Sequence, residues 1–203
     1  MEKAEVVIAT RNSGKLREIQ AILSPLGLKI LSLRDFPDVP EIIEDGQTFE
    51  ENAVKKAATV ARQTGRMAIA DDSGLAVDAL QGRPGVFSSR YAGEKATDAE
   101  RYQKLLKEMT GTPQGKRGAA FICAMAVASP KGKVEVVEGE CRGEIAFVPK
   151  GRHGFGYDPV FCLPEWGKAM AELEPEVKNR ISHRAQALEK LKKLLPKFLK
   201  ESQ

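Results

Sequence analysis

No stretch of this 203-residue chain approaches the roughly 20 consecutive apolar residues that a membrane-spanning helix needs, so no membrane partner is expected. The N-terminus opens on charged residues (Glu2, Lys3, Glu5) and passes straight into a short apolar run, without the hydrophobic segment of a secretory signal. A cytoplasmic protein is the expectation. Cysteine is scarce. Cys123, Cys141 and Cys162 are odd in number and far apart, which excludes a disulfide framework and a Cys-x-x-Cys metal site, and they read as core thiols. An excess of one charge sign is lacking too. The 32 Lys and Arg nearly balance 28 Asp and Glu, and a net charge of +4 is too mild to name nucleic acid as a partner, while it suits a small anionic substrate equally well. There is no internal repeat, low-complexity tract or linker, and 42% hydrophobic residues suffice for a core, which excludes disorder for the bulk of the chain. One domain over residues 1–203 is expected.

The apolar run Val6, Val7, Ile8, Ala9 leads into the polar loop Thr10-Arg11-Asn12-Ser13-Gly14-Lys15, and then Leu16, Ile19, Ile22 and Leu23 recur at helical spacing. Pro25 and Gly27 end that helix, and residues 29–33 read as a second strand. Thr48-Phe49-Glu50-Glu51 is a capping-box pattern opening an Ala-rich helix to about Gln63, and Thr97-Asp98-Ala99-Glu100 is another, opening a helix to about Met109. Between them Met67, Ala68, Ile69 and Ala70 predict a strand that ends at Asp71-Asp72-Ser73-Gly74. Residues 119–128 are almost continuously apolar, as in a central strand buried on both faces. The turn 130–132 sends the chain back as a strand over 133–138, and a further strand over 141–147 completes a meander. A glycine-rich loop over 151–158, a short strand over 160–162 and a last helix capped by Ser182, carrying Ala185, Leu188, Leu191, Leu194 and Leu195, follow. Strands and helices that interleave early, with strands clustered late, predict a single α/β domain: an elongated mixed sheet flanked by helices.

Three segments have the makings of a site. The loop 10–15 follows a strand and opens a helix, where N–H groups and the helix dipole attract an anion and Lys15 adds a point charge; it serves equally as an ordinary strand-to-helix turn. It is not a Walker A loop, which would need glycine at Ala9 and Ser or Thr at Leu16. Asp71 and Asp72 are adjacent carboxylates bracketed by core sequence, an arrangement that repels itself unless a cation is near, and hard oxygen donors favour Mg²⁺. Gly154-Phe155-Gly156-Tyr157-Asp158-Pro159 combines close-approach glycines with aromatics fit to stack on a planar base, or simply to cover the end of the core. Lys178, His183 and Arg184 add donors near the last helix.

Taken together, Thr10-x-Asn12-x-Gly14-Lys15, Thr48-Phe49-Glu50-Glu51-Asn52-Ala53, Ile69-Ala70-Asp71-Asp72-Ser73-Gly74, Gly82-x-Pro84-Gly85-Val86-x-Ser88-x-Arg90-Tyr91, residues 154–159 and Ser182-His183-Arg184 resemble, in type and order, the bacterial members of the Ham1-like inosine triphosphate pyrophosphatase family. The resemblance covers the chain from Ile8 to Leu188. It implies two lobes around a nucleotide cleft, and hydrolysis of ITP, dITP and XTP to the monophosphate and pyrophosphate with Mg²⁺ in a homodimer. It further implies Asp72 as catalytic proton acceptor and metal-associated carboxylate. Thr10, Arg11, Asn12, Ser13, Gly14, Lys15, Ser73, Phe155, Gly156, Tyr157, Asp158, Lys178, His183 and Arg184 match the family's substrate-binding positions. If His183 or Arg184 meets O6 of the base, adenine is rejected because its amino group sets donor against donor. One position departs: many relatives carry a metal-associated Glu three residues before Gly46, where this chain has Ile43, followed by Glu44 and Asp45.

Two other classes remain on the sequence. The basic segment 190–200 suggests a nucleic-acid-binding module, yet its lysines alternate with Leu191, Leu194, Leu195, Phe198 and Leu199 as on an amphipathic surface helix. A sensor that binds a nucleotide without turnover gains nothing from carboxylates beside a triphosphate. Within enzymes, a Maf-type pyrophosphatase for another modified nucleotide is the alternative, which a substrate panel separates.

Overall fold

The structure is a computed structural model describing residues 3–201. Its elements are β1 (Glu5–Ile8), α1 (Ser13–Leu23), β2 (Lys29–Ser32), α2 (Phe49–Thr64), β3 (Met67–Val77), α3 (Asp98–Glu108), β4 (Gly118–Ala128), β5 (Val134–Ile145), β6 (Phe161–Leu163), β7 (Lys168–Ala169), α4 (Pro175–Ile181), α5 (His183–Lys192) and α6 (Leu195–Glu201). The strands form one sheet in the order β2-β1-β3-β4-β5-β6-β7. β1 runs parallel to β2 and β3, with Val7 opposite Leu31 and Ala68, whereas β6 pairs antiparallel with β5 and β7. This is the mixed sheet with helices that the alternation of elements predicts. By compactness the chain divides into two units. The first holds the chain up to Asp72, Cys123–Gly139 and the chain from Arg184 on; the second holds Ser73–Ile122 and Glu140–His183.

In the first unit the period-2 alternation of strands sorts residues by size. Val6, Ile8, Met67, Ile69, Cys123, Met125 and Val127 pack with Ile19 and Leu23 of α1 and with Leu188, Leu191, Leu195 and Phe198 of α5 and α6. The opposite face is almost all alanine: Ala68, Ala70, Ala124, Ala126 and Ala128 meet Ala53, Ala57, Val60 and Ala61 of α2. Small side chains on both sides form a seam on which the helix backbone can come close to the strands. The second unit has a bulkier core in which Leu75, Val77, Phe121, Ile145 and Phe161 pack with Leu105 and Met109 of α3 and its end. Phe121 and Phe161 have ring centroids 4.5 Å apart.

Thr97 forms the full capping box, its Oγ1 accepting from Glu100 N at 3.2 Å and Glu100 Oε2 accepting from Thr97 N at 2.7 Å. The earlier box is only half formed. Thr48 Oγ1 accepts from Glu51 N, but the Glu51 carboxylate passes Thr48 and takes Gln47 N at 2.6 Å, because the chain before α2 wraps back over the helix start, with Gly46 N held by Asn52 Oδ1.

Four other expectations are corrected. Asp71 and Asp72 lie in the middle of β3 rather than at a strand end, since Ser73 and Gly74 stay extended and the strand runs on to Val77. The strands expected over 133–138 and 141–147 are one, β5: Gly139 adopts no left-handed φ, so it continues the strand. The last helix is two, α5 and α6. Pro196, the second residue of α6, has no N–H to give the Lys192 carbonyl, and just before it the chain tightens to Leu194 N–H on Leu191 O at 2.8 Å. Ser182 also ends a helix that the sequence reading missed, α4, whose start is set by Pro175. Among the thiols Cys123 and Cys141 are buried as expected, while Cys162 is only half-buried.

Candidate active site

Between β1 and α1, Asn12 caps the helix: its Oδ1 accepts from Gly14 N at 2.8 Å and Lys15 N at 3.0 Å, and Thr10 Oγ1 in turn accepts from Asn12 N. The cradle expected from sequence therefore has two of its amides already occupied by its own Asn. Ser13 is exposed, and the exposed Arg11 donates to Val39 O at 2.9 Å. Lys15 does not point to solvent. It bends inward to Asp71 Oδ2 at 3.1 Å and is only 15% exposed.

Asp71 is the hub of a buried ion chain. Arg184, at the start of α5, donates Nη2 and Nε to Asp71 Oδ2 at 2.9 and 3.2 Å and Nη1 to Glu18 Oε2 of α1 at 2.5 Å. Burial alone would raise the Asp71 carboxyl, but the charges of Lys15, Arg184 and Lys56 outweigh it and hold it far below the usual carboxylate range. Arg184, expected from sequence to face a base, has all three guanidinium nitrogens engaged with these two carboxylates.

Asp72, the next residue, is in a different environment. Its Oδ2 accepts from Asn52 Nδ2 at 3.0 Å and its Oδ1 lies 3.7 Å from Lys56 Nζ. Lys56 donates to Glu44 Oε1 at 2.5 Å and to the Asp71 carbonyl at 2.6 Å. Burial raises the Asp72 carboxyl and Glu44 adds to the rise, while Lys56, Lys15 and Asn52 act against it. Burial would lower Lys56, but the charges of Asp72, Asp71 and Glu44 outweigh it and raise its ammonium. Two adjacent carboxylates are thus driven apart by their surroundings. The Asp71 carboxyl is pushed down and the Asp72 carboxyl up, so of the two Asp72 holds a proton more readily.

Asn52 and Lys56 were not singled out from sequence. The signal was available: residues 52, 53, 56, 57, 60 and 61 form the buried stripe of α2, and its N-terminal end carries an amide and an ammonium where alanine and valine continue the stripe beyond. Next to Ile43, it is Glu44 that reaches the buried end of α2, where its carboxylate pairs with Lys56. Ile43 is 71% exposed, while its neighbour turns in to Lys56.

In the second unit, Phe155 is half-buried with Lys178 Nζ 4.7 Å from its ring centroid. Lys178, on α4, is ion-paired with the buried Asp158, whose Oδ2 also accepts from Phe155 N at 2.8 Å. A side chain at Gly154, which has φ +77°, would collide with the same carboxylate. Gly156 also has a left-handed φ. Tyr157 is not a stacking surface. It is 4% exposed and donates its hydroxyl to Ser88 O at 2.9 Å, so of the loop's two aromatics it is Phe155 that is less buried. His183 is buried and stacks on Phe121, with centroids 4.8 Å apart and planes at 13°. Ser73 follows Asp72 in β3 and is half-buried.

The model of the Ham1 family matches residues 6–194. The chain belongs to the Ham1 family. Two relatives, each named dITP/XTP pyrophosphatase, illustrate the similarity. The protein of Geobacillus kaustophilus is 58% identical over 187 residues, 92% of either chain, and that of Bacillus subtilis is 50% identical over 191 residues, 94% of this chain and 96% of its own. The solved structure of a HAM1 protein from Coxiella burnetii superposes with a TM-score of 0.86 at 47% identity, covering 96% of this chain and 99% of that one. Among the described residues of this Ham1 chain, no helix is long and apolar enough to cross a membrane.

Proposed function

We propose that this chain, acting as one domain over residues 1–203, hydrolyses the non-canonical purine nucleoside triphosphates ITP, dITP and XTP to the monophosphate and pyrophosphate. The observation that carries the reading is the Asp72 carboxylate, buried, raised in proton affinity and fixed by Asn52 beside Lys56, in a chain whose relatives bear the name dITP/XTP pyrophosphatase. Asp72 accepts a proton from a water whose oxygen forms a bond to the α-phosphorus. The bond from that phosphorus to the oxygen bridging the β-phosphate breaks, and pyrophosphate leaves with the electron pair. Lys56 and Lys15 supply positive charge toward the phosphate oxygens, and the loop from Thr10 to Gly14, capped by Asn12, sets Lys15 at the start of α1.

A divalent cation fits the donor chemistry. Asp72 and Glu44 are hard oxygen donors that share Lys56, whereas Asp71 is taken by Lys15 and Arg184, and no group of three or more His, Cys, Asp or Glu gathers among the described residues. Two carboxylates with the rest of the shell from water and triphosphate is the pattern of Mg²⁺, which when bound neutralises phosphate charge. For the base, Phe155 offers a stacking face, and Lys178 and His183 offer donors to a 6-oxo group; Ser73, Gly156, Tyr157 and Asp158 shape the surroundings. A homodimer working in the cytoplasm completes the reading.

The test is a panel of ITP, XTP, GTP and ATP with Mg²⁺, reading nucleoside monophosphate and pyrophosphate. ITP and XTP should be turned over with kcat/KM well above ATP. Release of orthophosphate instead of pyrophosphate, or equal kcat/KM for ATP, overturns the assignment. Replacing Lys15 with Ala should weaken ITP binding about tenfold, the size of one charge-assisted contact, while the ratio of kcat/KM for ITP over GTP stays within about twofold. Calorimetry finding unchanged ITP affinity counts against a phosphate role for Lys15.

A further inference from the structure

The capping box at α3 needs only Thr97 and Glu100, and both do its work. Asp98 is surplus to the cap, yet its carboxylate is spoken for at both oxygens. Oδ1 accepts from Arg101 Nη1 at 2.6 Å, and Oδ2 accepts from Gly156 N at 2.7 Å, a hydrogen bond across 58 residues of chain. The loop it reaches has left-handed glycines at 154 and 156, the residue type with most conformational freedom to lose. Asp158 on Phe155 N, Tyr157 on Ser88 O and Asp98 on Gly156 N are among the bonds that hold that loop, and Lys178 of α4 is ion-paired with Asp158. The first two involve residues of the loop itself. Asp98 brings a side chain from outside the loop onto its backbone, accepting directly from the peptide N–H that follows Phe155.

We propose that Asp98 is a positioning residue for purine recognition, oriented by Arg101 and holding the Gly156 peptide so that Phe155 is presented to the base. The proposal rests on the reading of the loop 154–158 as the base site. Released from Asp98, the two glycines let the Phe155 ring sample other positions, and each substrate must restore the bound one at a cost in affinity. The phosphate end of the substrate is untouched by this, as is the proton transfer at Asp72.

Steady-state kinetics on ITP, together with inhibition by inorganic tripolyphosphate, which has no base, test this. Asp98→Ala should raise KM for ITP about tenfold, the range of a hydrogen bond to a charged acceptor, with kcat within about threefold and Ki for tripolyphosphate unchanged. Asp98→Asn keeps an acceptor oxygen for Gly156 N and should return KM to within about threefold of the parent. Thr97→Ala loses the cap but keeps Asp98, so it should lower Tm and leave KM alone. The proposal is overturned if Asp98→Ala leaves KM within twofold, if Ki for tripolyphosphate weakens in parallel, or if Thr97→Ala raises KM equally. Phe155→Ala separates the two levels. A raised KM there with a silent Asp98→Ala removes Asp98 and keeps the base site, whereas a silent Phe155→Ala removes the base site and this proposal with it.

Discussion

Replacing Asp72 with Asn should lower kcat for ITP by at least about 10²-fold, the low end of what a positioned general base contributes, while Tm holds or rises. The side chain keeps its shape, and the new amide oxygen can still accept from Asn52 Nδ2, so the local packing of β3 and α2 has no reason to change. What disappears is a charge that burial disfavours, and with it the group able to take a proton. Removing a poorly solvated charge relieves the fold of a desolvation cost, so activity and stability should move in opposite directions, as is common where a site is built against the fold's interest. Pyrophosphate release and thermal melting on the same preparation check both halves. Turnover above half of the parent value sinks the assignment of Asp72.

Replacing Arg184 with Met should destabilise the fold by about 3–5 kcal/mol, the cost of removing one partner from a buried ion pair. Asp71 has no solvent-accessible side chain, and without Arg184 it loses two charge-assisted bonds while Glu18 loses its own. The effect on catalysis should be a parallel fall in kcat/KM for ITP, XTP, GTP and ATP, because the guanidinium is bound to carboxylates of the protein. A selective loss of ITP turnover would instead assign Arg184 to the base. Denaturant titration gives the first quantity, and the double variant with Asp71→Asn should cost less than the sum of the two singles, since each removes the other's partner. The sign of the pH dependence follows as well. The Asp71 carboxyl is held below its unfolded value of about 3.9, so its contribution is complete above that pH and erodes only as pH falls beneath it. Losing Arg184 removes one of the charges that keep it low, and acid tolerance should shrink.

Much of this was legible in the residues. The full capping box at Thr97 and the near-continuous burial of β4 depend on local chemistry, which sequence carries directly. The family resemblance rests on motifs that a single chain displays. What escaped was chemistry decided by partners far along the chain. Glu51 satisfies its box in principle, but the fold brings Gln47 N closer. Gly139 looks like a strand end, and nothing local announces that its φ stays extended. Lys56 reads as one more surface lysine of an Ala-rich helix until β3 sets Asp71 and Asp72 against it. Arg184 sits next to His183 in the chain, yet His183 stacks on Phe121 and Arg184 turns to Asp71 and Glu18. Adjacent letters have different destinations, which no pattern of spacing resolves.

Sequence drift meets unequal resistance on the two faces of the first unit's sheet. Where Met67, Ile69, Met125 and Val127 lie, a lineage can trade one large side chain for another and keep the volume, and such exchanges cost little. Across the alanine seam the only smaller residue is glycine, which loosens strand and helix, and every larger one must push α2 outward. The same helix carries Asn52 and Lys56, so a single methyl gained at Ala68 or Ala70 is felt at Asp72. Selection on catalysis therefore reaches positions that touch no substrate, and the alanines of β3 and α2 should vary as little as the carboxylates they support.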